Sequence, residues 1–261
     1  MFGFVRQDLR LAFNLLKMNL RDRYLGSSLG SFWAIANPLF MLALYTFVFG
    51  FVFKVRLPGA ETTLGYVVWL ISGYGPWIAT VEAISAATGS VVGATGMVKN
   101  MAFKTELVPI AAALVGLVSL AVSIVFLLVL LVVIGNLPSW HLIWLPLVIA
   151  LQFFLIAALG LWLSALNVFF RDVSVVLPNF LTIMMFATPI FYPLEALPAI
   201  VRQVSLANPF YWISTAYRDI LIQHQSPDPW GMLYLFLLAL LLFWAGLKAF
   251  RRAKGFFDAA L

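Results

Sequence analysis

The sequence predicts an all-α integral membrane protein, and composition, block structure and charge placement each point that way. Hydrophobic residues fill 64% of 261 positions and charged residues only 10%, against about 25% charged in an ordinary soluble domain. A soluble core of this size cannot hide so much apolar surface. The apolar residues also fall into long blocks bounded by charge: residues 29–53 carry none, with Arg21, Asp22 and Arg23 before them and Lys54 and Arg56 after. About 20 apolar residues suffice for a helix to cross roughly 30 Å of hydrocarbon.

Residues 2–20 predict an amphipathic helix in the membrane interface. Arg6, Arg10, Lys17 and Arg21 share one stripe at helical spacing, while Phe2, Val5, Leu9, Ala12, Phe13, Leu16 and Leu20 cluster opposite or beside it. Such a helix rests its apolar face on lipid. A cleaved leader wants an unbroken apolar run, which Arg10, Asn14, Lys17 and Asn19 interrupt here.

Six spans are expected, at residues 29–53, 64–83, 107–134, 141–169, 173–191 and 230–250. The second contains Gly73, Gly75 and Pro76, with Glu82 near its inner end and within reach of the headgroups. Residues 84–106, punctuated by Gly89, Gly93 and Gly96, read as too polar to span, with a short helix over 98–104. Pro109 suits the first turn of the third span. The turn at Gly135-Asn136-Leu137-Pro138-Ser139 sends the fourth back antiparallel. Between the fifth and sixth, prolines 193, 198, 209, 227 and 229 divide the chain into two short outer-side helices, about 196–206 and 209–223. The organisation is thus an interfacial helix and join (1–28), a six-span domain (29–250) and a tail (251–261).

Positive charge sets the orientation. Of the 16 lysines and arginines, all but Lys54, Arg56, Arg202 and Arg218 fall in the N-terminal segment, the loop after span two, the turn at Arg171 or the tail. By the positive-inside rule both termini are cytoplasmic. The net charge of +6 therefore reads as membrane topology and gives no support to a nucleic-acid partner.

No catalytic set emerges. The absence of cysteine removes thiolate chemistry and disulfides. His141 and His224 are far apart, with no carboxylate at metal-ligand spacing, so a metal site is not expected. The nearest approach to a phosphate loop, Gly89-Ser-Val-Val-Gly-Ala-Thr-Gly96, lacks the Gly-Lys-Ser/Thr ending such a loop requires. The expectation is transport without enzymatic activity in this chain. An ion-gradient-driven transporter would want ionisable groups at mid-membrane, and the span centres read as free of them. That reading and a passive channel stand as the alternatives.

Three segments carry a family resemblance. The run Arg23-Tyr-Leu-Gly-Ser-Ser-Leu-Gly-Ser-Phe-Trp-Ala34 is followed by Asn37-Pro38 inside the first span. Asn167-Val-Phe-Phe-Arg-Asp172 leads to Thr188-Pro-Ile-Phe-Tyr-Pro193, and Asn208-Pro-Phe-Tyr-Trp212 to Arg218-Asp219. In this order they resemble the permease subunit of bacterial ABC exporters for lipid-linked polysaccharide, which serve O-antigen, capsule or teichoic acid. The resemblance implies a homodimer in the bacterial inner membrane that moves an undecaprenyl-linked glycan. It also implies two copies of a partner ATPase that bind the ATP and Mg, with no cofactor in this chain.

Against that background three residue sets become candidates. Arg21, Arg23 and Tyr24 stand at the inner headgroup level, where two guanidinium forks and a phenol suit a lipid phosphate or pyrophosphate. Orientation of the chain explains the same arginines equally well. Of Tyr45, Phe49, Tyr74, Trp77, Phe191, Tyr192, Tyr211 and Trp212 many lie beside glycine or proline breaks near the outer half, and they either line a glycan conduit or anchor at the interface. Trp69, Trp140, Trp144 and Trp230 read as anchors. Segment 88–106, centred on Lys99, Asn100, Met101, Phe103 and Lys104, is the expected contact for the ATPase, mixing an apolar anchor with flanking charge. Gly26 and Gly30 have the spacing of close helix approach or of a flexible join.

Overall fold

The computed structural model describes residues 6–22, 27–53, 62–100 and 104–260, and these contain helices and turns with no strand. Helix α1 (Arg6–Asp22) is followed by α2 (Trp33–Tyr45), which continues as a π-helical stretch over Thr46–Val52. Helix α3 spans Thr63–Gly93 and α4 covers Thr95–Asn100. Helices α5 (Leu107–Ala113) and α6 (Gly116–Val133) form one kinked rod, and α7 runs over Leu145–Phe169. Then come α8 (Asp172–Ala187), α9 (Ala199–Leu206), α10 (Pro209–Leu221), α11 (Pro229–Lys254) and α12 (Phe257–Ala260). The chain is a multi-pass membrane protein.

Five stretches among the described residues are long and apolar enough to cross a bilayer: Trp33–Val52, Thr63–Gly93, Leu107–Val133, Trp140–Phe169 and Pro229–Lys254. The fifth expected span, 173–191, is cut to the 16 residues of α8. At 1.5 Å per residue that is roughly 24 Å, short of the hydrocarbon core. Pro189 is the reason, because it drives the residue before it out of the helical region. Thr188 adopts φ −93°, ψ 136°, and the remaining backbone runs on as turns buried within the protein, the setting in which a membrane tolerates them.

Helix α3 is the axis. It packs against α5, α6, α7, α8 and α10, and from Tyr66 to Thr80 all but Trp69 are buried. It also corrects an expected boundary, since the loop reading of 84–93 is wrong and the helix continues to Gly93. Ala83, Ile84, Ala87, Thr88 and Val91 recur at helical spacing and are buried, and that packing overrides the weak propensity of the glycines. Small residues let the neighbours close in. A Cβ on Gly116 would lie 2.4 Å from the Ala79 carbonyl, one on Gly75 2.7 Å from Ser123, and one on Gly160 2.8 Å from Ala87. Gly116 also follows the two-residue break that separates α5 from α6.

The longest apolar packing joins α7 to α11. At one end of that pair Arg251 donates from Nε and Nη2 to Glu106 Oε1, at 2.9 and 2.7 Å, tying α11 to the start of α5. Helix α1 lies on α5, with Leu15 buried against Leu107, Val108 and Ala111. Its expected apolar face thus divides: Ala12 turns to the protein, whereas Phe13 is 66% exposed.

Candidate functional site

A cavity of about 1050 Å³ runs along one face of α3. Tyr74, Trp77, Ile78, Val81, Glu82, Ser85, Ala86, Gly89, Ser90 and Gly93 line it, a stripe at i, i+3, i+4 spacing that extends over roughly 28 Å of helix. Asn37, Met41 and Tyr45 of α2 form one wall, and Pro178, Leu181, Thr182 and Met185 of α8 the other. The end near Gly93 meets Gly96 and Met97 of α4 and Met18 and Asn19 of α1. A Cβ on Gly89, Gly93 or Gly96 would meet nothing within 4 Å, so these glycines border open space.

The opposite face of α3 is hydrogen-bonded throughout. Tyr217 donates its hydroxyl to Gln152 Oε1 at 2.7 Å, and Gln152 Nε2 donates to the Pro76 carbonyl and to Thr80 Oγ1, both at 3.0 Å. Lower down, Asn167 Nδ2 donates to the Thr88 carbonyl at 3.2 Å, and its Oδ1 accepts from the Ser174 backbone at 3.1 Å. One motif residue thereby ties α7, α3 and the first turn of α8 together. Asn208 caps α10 by accepting from the Phe210 amide, and donates from Nδ2 to Thr188 Oγ1 at 2.8 Å. The Asn208 and Thr188 motifs thus meet in space, at the end of α8.

The predicted aromatics divide. Tyr45, Tyr74 and Trp77 line the cavity. Phe49 and Phe191 stand behind them: Phe191 lies 5.6 Å from Tyr45, 4.9 Å from Phe49 and 5.9 Å from Tyr74, ring centre to ring centre. These four rings form one cluster at the end of the cavity near α10. Tyr192, Tyr211 and Trp212 are not brought to the cavity. Tyr192 donates to the Phe186 carbonyl, Trp212 donates to the Leu206 carbonyl at 2.8 Å, and Tyr211 packs edge-on to Trp212 at 5.2 Å. Their indole and phenol groups tie loops of the α8–α11 connection. Trp69, read as an anchor, is instead covered by the Arg218 guanidinium.

Of the entrance candidates, Arg21 is exposed in the last turn of α1, one turn beyond Met18 of the cavity wall. Arg23 and Tyr24 lie outside the described residues. Of the coupling candidates, Lys99 and Asn100 end α4 and Lys104 precedes α5, while Met101 and Phe103 fall outside the described residues.

Two charged residues take environments that the charge pattern did not reveal. Glu82, expected at headgroup level, sits only four residues past the middle of α3, because that helix is longer than the charge pattern suggests. It lines the cavity and accepts a hydrogen bond from Ser119, so the span centres are not free of ionisable groups. Arg218, counted only as one of the four outer-side cations, is 5% exposed and packed on α3. Gln152 was missed altogether, although a lone amide inside an apolar span is a readable signal. His141 bonds Ser139 and His224 bonds Asn136, and among the described residues no group of side chains could hold a metal.

Among the described residues the chain is all-helical, with an elongated, partly polar cavity beside its central helix, an architecture that suits transport. The chain belongs to the ABC-2 type transporter family, whose model matches residues 10–222. An ABC transporter of this family works with an ATPase partner. The chain is 28% identical to an O-antigen export system permease protein, RfbA, of Myxococcus xanthus, over 94% of this chain and 92% of that one. It is 26% identical to an RfbA of Klebsiella pneumoniae, over 96% of each chain. It is also 23% identical to the polysialic acid transport protein KpsM of Escherichia coli, over 91% of each.

Proposed function

We propose that this chain is the transmembrane subunit of an ABC exporter that moves an O-antigen-like, lipid-linked polysaccharide outward across the bacterial inner membrane. Two copies form the conduit, and two ATPase subunits holding ATP and Mg work from the cytoplasmic side, where both termini lie. The observation that carries this reading is the cavity along α3, which joins hydrogen-bonding groups (Asn19, Asn37, Glu82, Ser85, Ser90) to aromatic faces (Tyr45, Tyr74, Trp77). Sugars present hydroxyls at their edges and C–H surfaces on their faces, so a glycan finds partners along this path. Export relatives that align over nearly the whole chain support it.

Arg21, Arg23 and Tyr24 receive the lipid phosphate. The position of Arg21 beside the Met18 and Asn19 end of the cavity supports this assignment. The short helix α4 and the residues after it, including Lys99, Asn100, Met101, Phe103 and Lys104, receive the ATPase. Residues 88–93 belong to α3, which narrows the coupling contact to the part beyond it.

Glu82 inside the cavity is the one observation that favours ion-gradient-driven transport instead. The decisive experiment expresses the chain with its ATPase in cells lacking their own O-antigen permease and measures glycan at the cell surface. Export should stop when the ATPase is inactivated and survive Glu82→Gln. Export that persists without ATP hydrolysis and collapses with the proton gradient would overturn the proposal.

A further inference from the structure

Helix α11 ends in a pattern that the transport reading leaves unused. Residues 230–247 carry no charge, and at 1.5 Å per residue they rise about 27 Å, close to the roughly 30 Å of a bilayer's hydrocarbon. Lys248 is therefore the first charge at the membrane edge, with Trp244 one turn inside it. One side of the helix packs on α7, where the Trp162 indole donates to the Leu242 carbonyl at 3.1 Å and a Cβ on Gly246 would stand 2.8 Å from that indole nitrogen. The other side is bare. Leu233, Leu237, Leu240, Leu241 and Trp244 are exposed, and Lys248 and Arg252 continue the same stripe at helical spacing.

Orientation explains why cations stand at this end, but not how they are held. Arg251 is taken up by Glu106, which accepts from its Nε and Nη2. Lys248 and Arg252 join no ion pair among the described residues. Nor does Lys248 extend toward water, as a long cation at a membrane edge normally does. Its Nζ lies 5.1 Å from the centre of the Trp244 ring, four residues back toward the hydrocarbon. A ring face attracts an ammonium, but a charge at low dielectric stays costly until an anion meets it. Arg252 stands one turn on, its Cβ within about 6 Å of that of Lys248. One phosphate can therefore take the Lys248 ammonium and the Arg252 fork together.

We propose that this end of α11 is a binding site for an anionic glycerophospholipid of the surrounding bilayer, with its phosphate on Lys248 and Arg252 and an acyl chain along Trp244, Leu241 and Leu237. The occupant is a lipid because the apolar stripe runs on directly from the cations, which matches chain and headgroup in order and in depth. It is a resident lipid and not the exported one, since among the described residues none of α11 lines the cavity. Once bound it fixes the depth of α11, which Arg251 ties to the start of α5. Its place in the inner leaflet rests on the cytoplasmic placement of the termini proposed above, whereas the site itself needs neither that placement nor a glycan.

The test reconstitutes the complete exporter, permease with ATPase, into phosphatidylcholine bilayers with a minor share of phosphatidylglycerol in both leaflets. Bromine on the chains of one lipid or the other quenches nearby tryptophan, and the difference between wild type and Trp244→Phe gives the Trp244 share. Brominated phosphatidylglycerol should quench Trp244 well beyond its share of the bilayer. Lys248→Gln and Arg252→Gln should each lower that preference about fivefold, and the double variant should return Trp244 to the bulk lipid ratio. Arg252→Lys, which keeps the charge but not the fork, should fall between Arg252→Gln and wild type. None of these changes touches the Arg251–Glu106 pair, so α11 keeps its tie to α5.

Equal quenching by the two brominated lipids in wild type, or a preference that survives the double variant, overturns the site. Loss of the ATPase from the purified double variant overturns it too, by making these cations a protein contact. A wild-type exporter that carries no glycan, with the lipid preference as expected, refutes the substrate reading and leaves the site standing.

Discussion

The two faces of α3 are built for opposite purposes. On one, Gln152, Thr80 and Tyr217 join in a single buried hydrogen-bonded chain, and Gly73, Gly75 and Gly116 mark where neighbours touch its backbone or lie within a methyl of it. On the other, Glu82, Ser85, Gly89, Ser90 and Gly93 border a cavity, with open space above the glycines. The locked face fixes the rotation and height of the helix, and on the open face Glu82 is held in addition by Ser119. One helix thereby separates stability from transport, and the separation can be tested residue by residue.

The largest effect should come from breaking the locked face at its tightest point. Gly116→Val places a side chain against the Ala79 carbonyl, which backbone cannot yield cheaply. It should lower stability by about 3 kcal/mol, read as a lower thermal midpoint in detergent and reduced membrane abundance. Gln152→Leu comes next. It leaves the Tyr217 hydroxyl without its acceptor and removes the donor to Pro76, at a cost of about 1–3 kcal/mol. Denaturant titration of the purified permease would measure it. Asn167→Ala removes the link from α7 to α3 and to the start of α8, and about 1 kcal/mol should follow; a loss well above that would mean α8 is held mainly through this amide.

The smallest effect on stability, and the most informative, belongs to the open face. Gly89→Ala adds a methyl where nothing stands within 4 Å and removes backbone freedom from the unfolded chain. It should raise stability by about 0.5–1 kcal/mol while slowing export of a bulky glycan. A parallel fall of both quantities would show that the two faces are not separable.

Much of the fold was legible because it follows from solvent. Long apolar runs must be helices in a bilayer, since helices satisfy their own backbone, and five helical stretches long and apolar enough to cross overlap five of the six expected spans. The exceptions differ in cause: Pro189 cuts the span expected at 173–191, whereas long-range packing extends α3. Glycines 89 and 93 and the polar residues around them read as a loop, because their helix is stabilised by α7 across Ala87, Thr88 and Val91, partners distant in sequence. The aromatic cluster was half visible: Tyr45, Phe49, Tyr74 and Phe191 were nominated, but so were Tyr192, Tyr211 and Trp212, which serve the loops around α9 and α10. Proximity to a proline or glycine break says that a ring is near irregular backbone, and nothing about which side of it the ring takes.

The sequence by itself determined the solvent and the helical class, because both depend on local chemistry, apolar content and charge-free length; the end of α8 is local too, set by Pro189 acting on Thr188, but the expected span ran past it. Only the tertiary structure decided the environments of Arg218 and Glu82. Both are single charges whose meaning depends on the neighbours brought to them. For Arg218 these are the carbonyls of Pro189 and Ile190, freed some 28 residues earlier. For Glu82 they are a serine on another helix and a cavity that exists only because α2, α3 and α8 stand apart. A charge in a sequence reports that it must be accommodated, and packing decides whether water, backbone or a cavity does so.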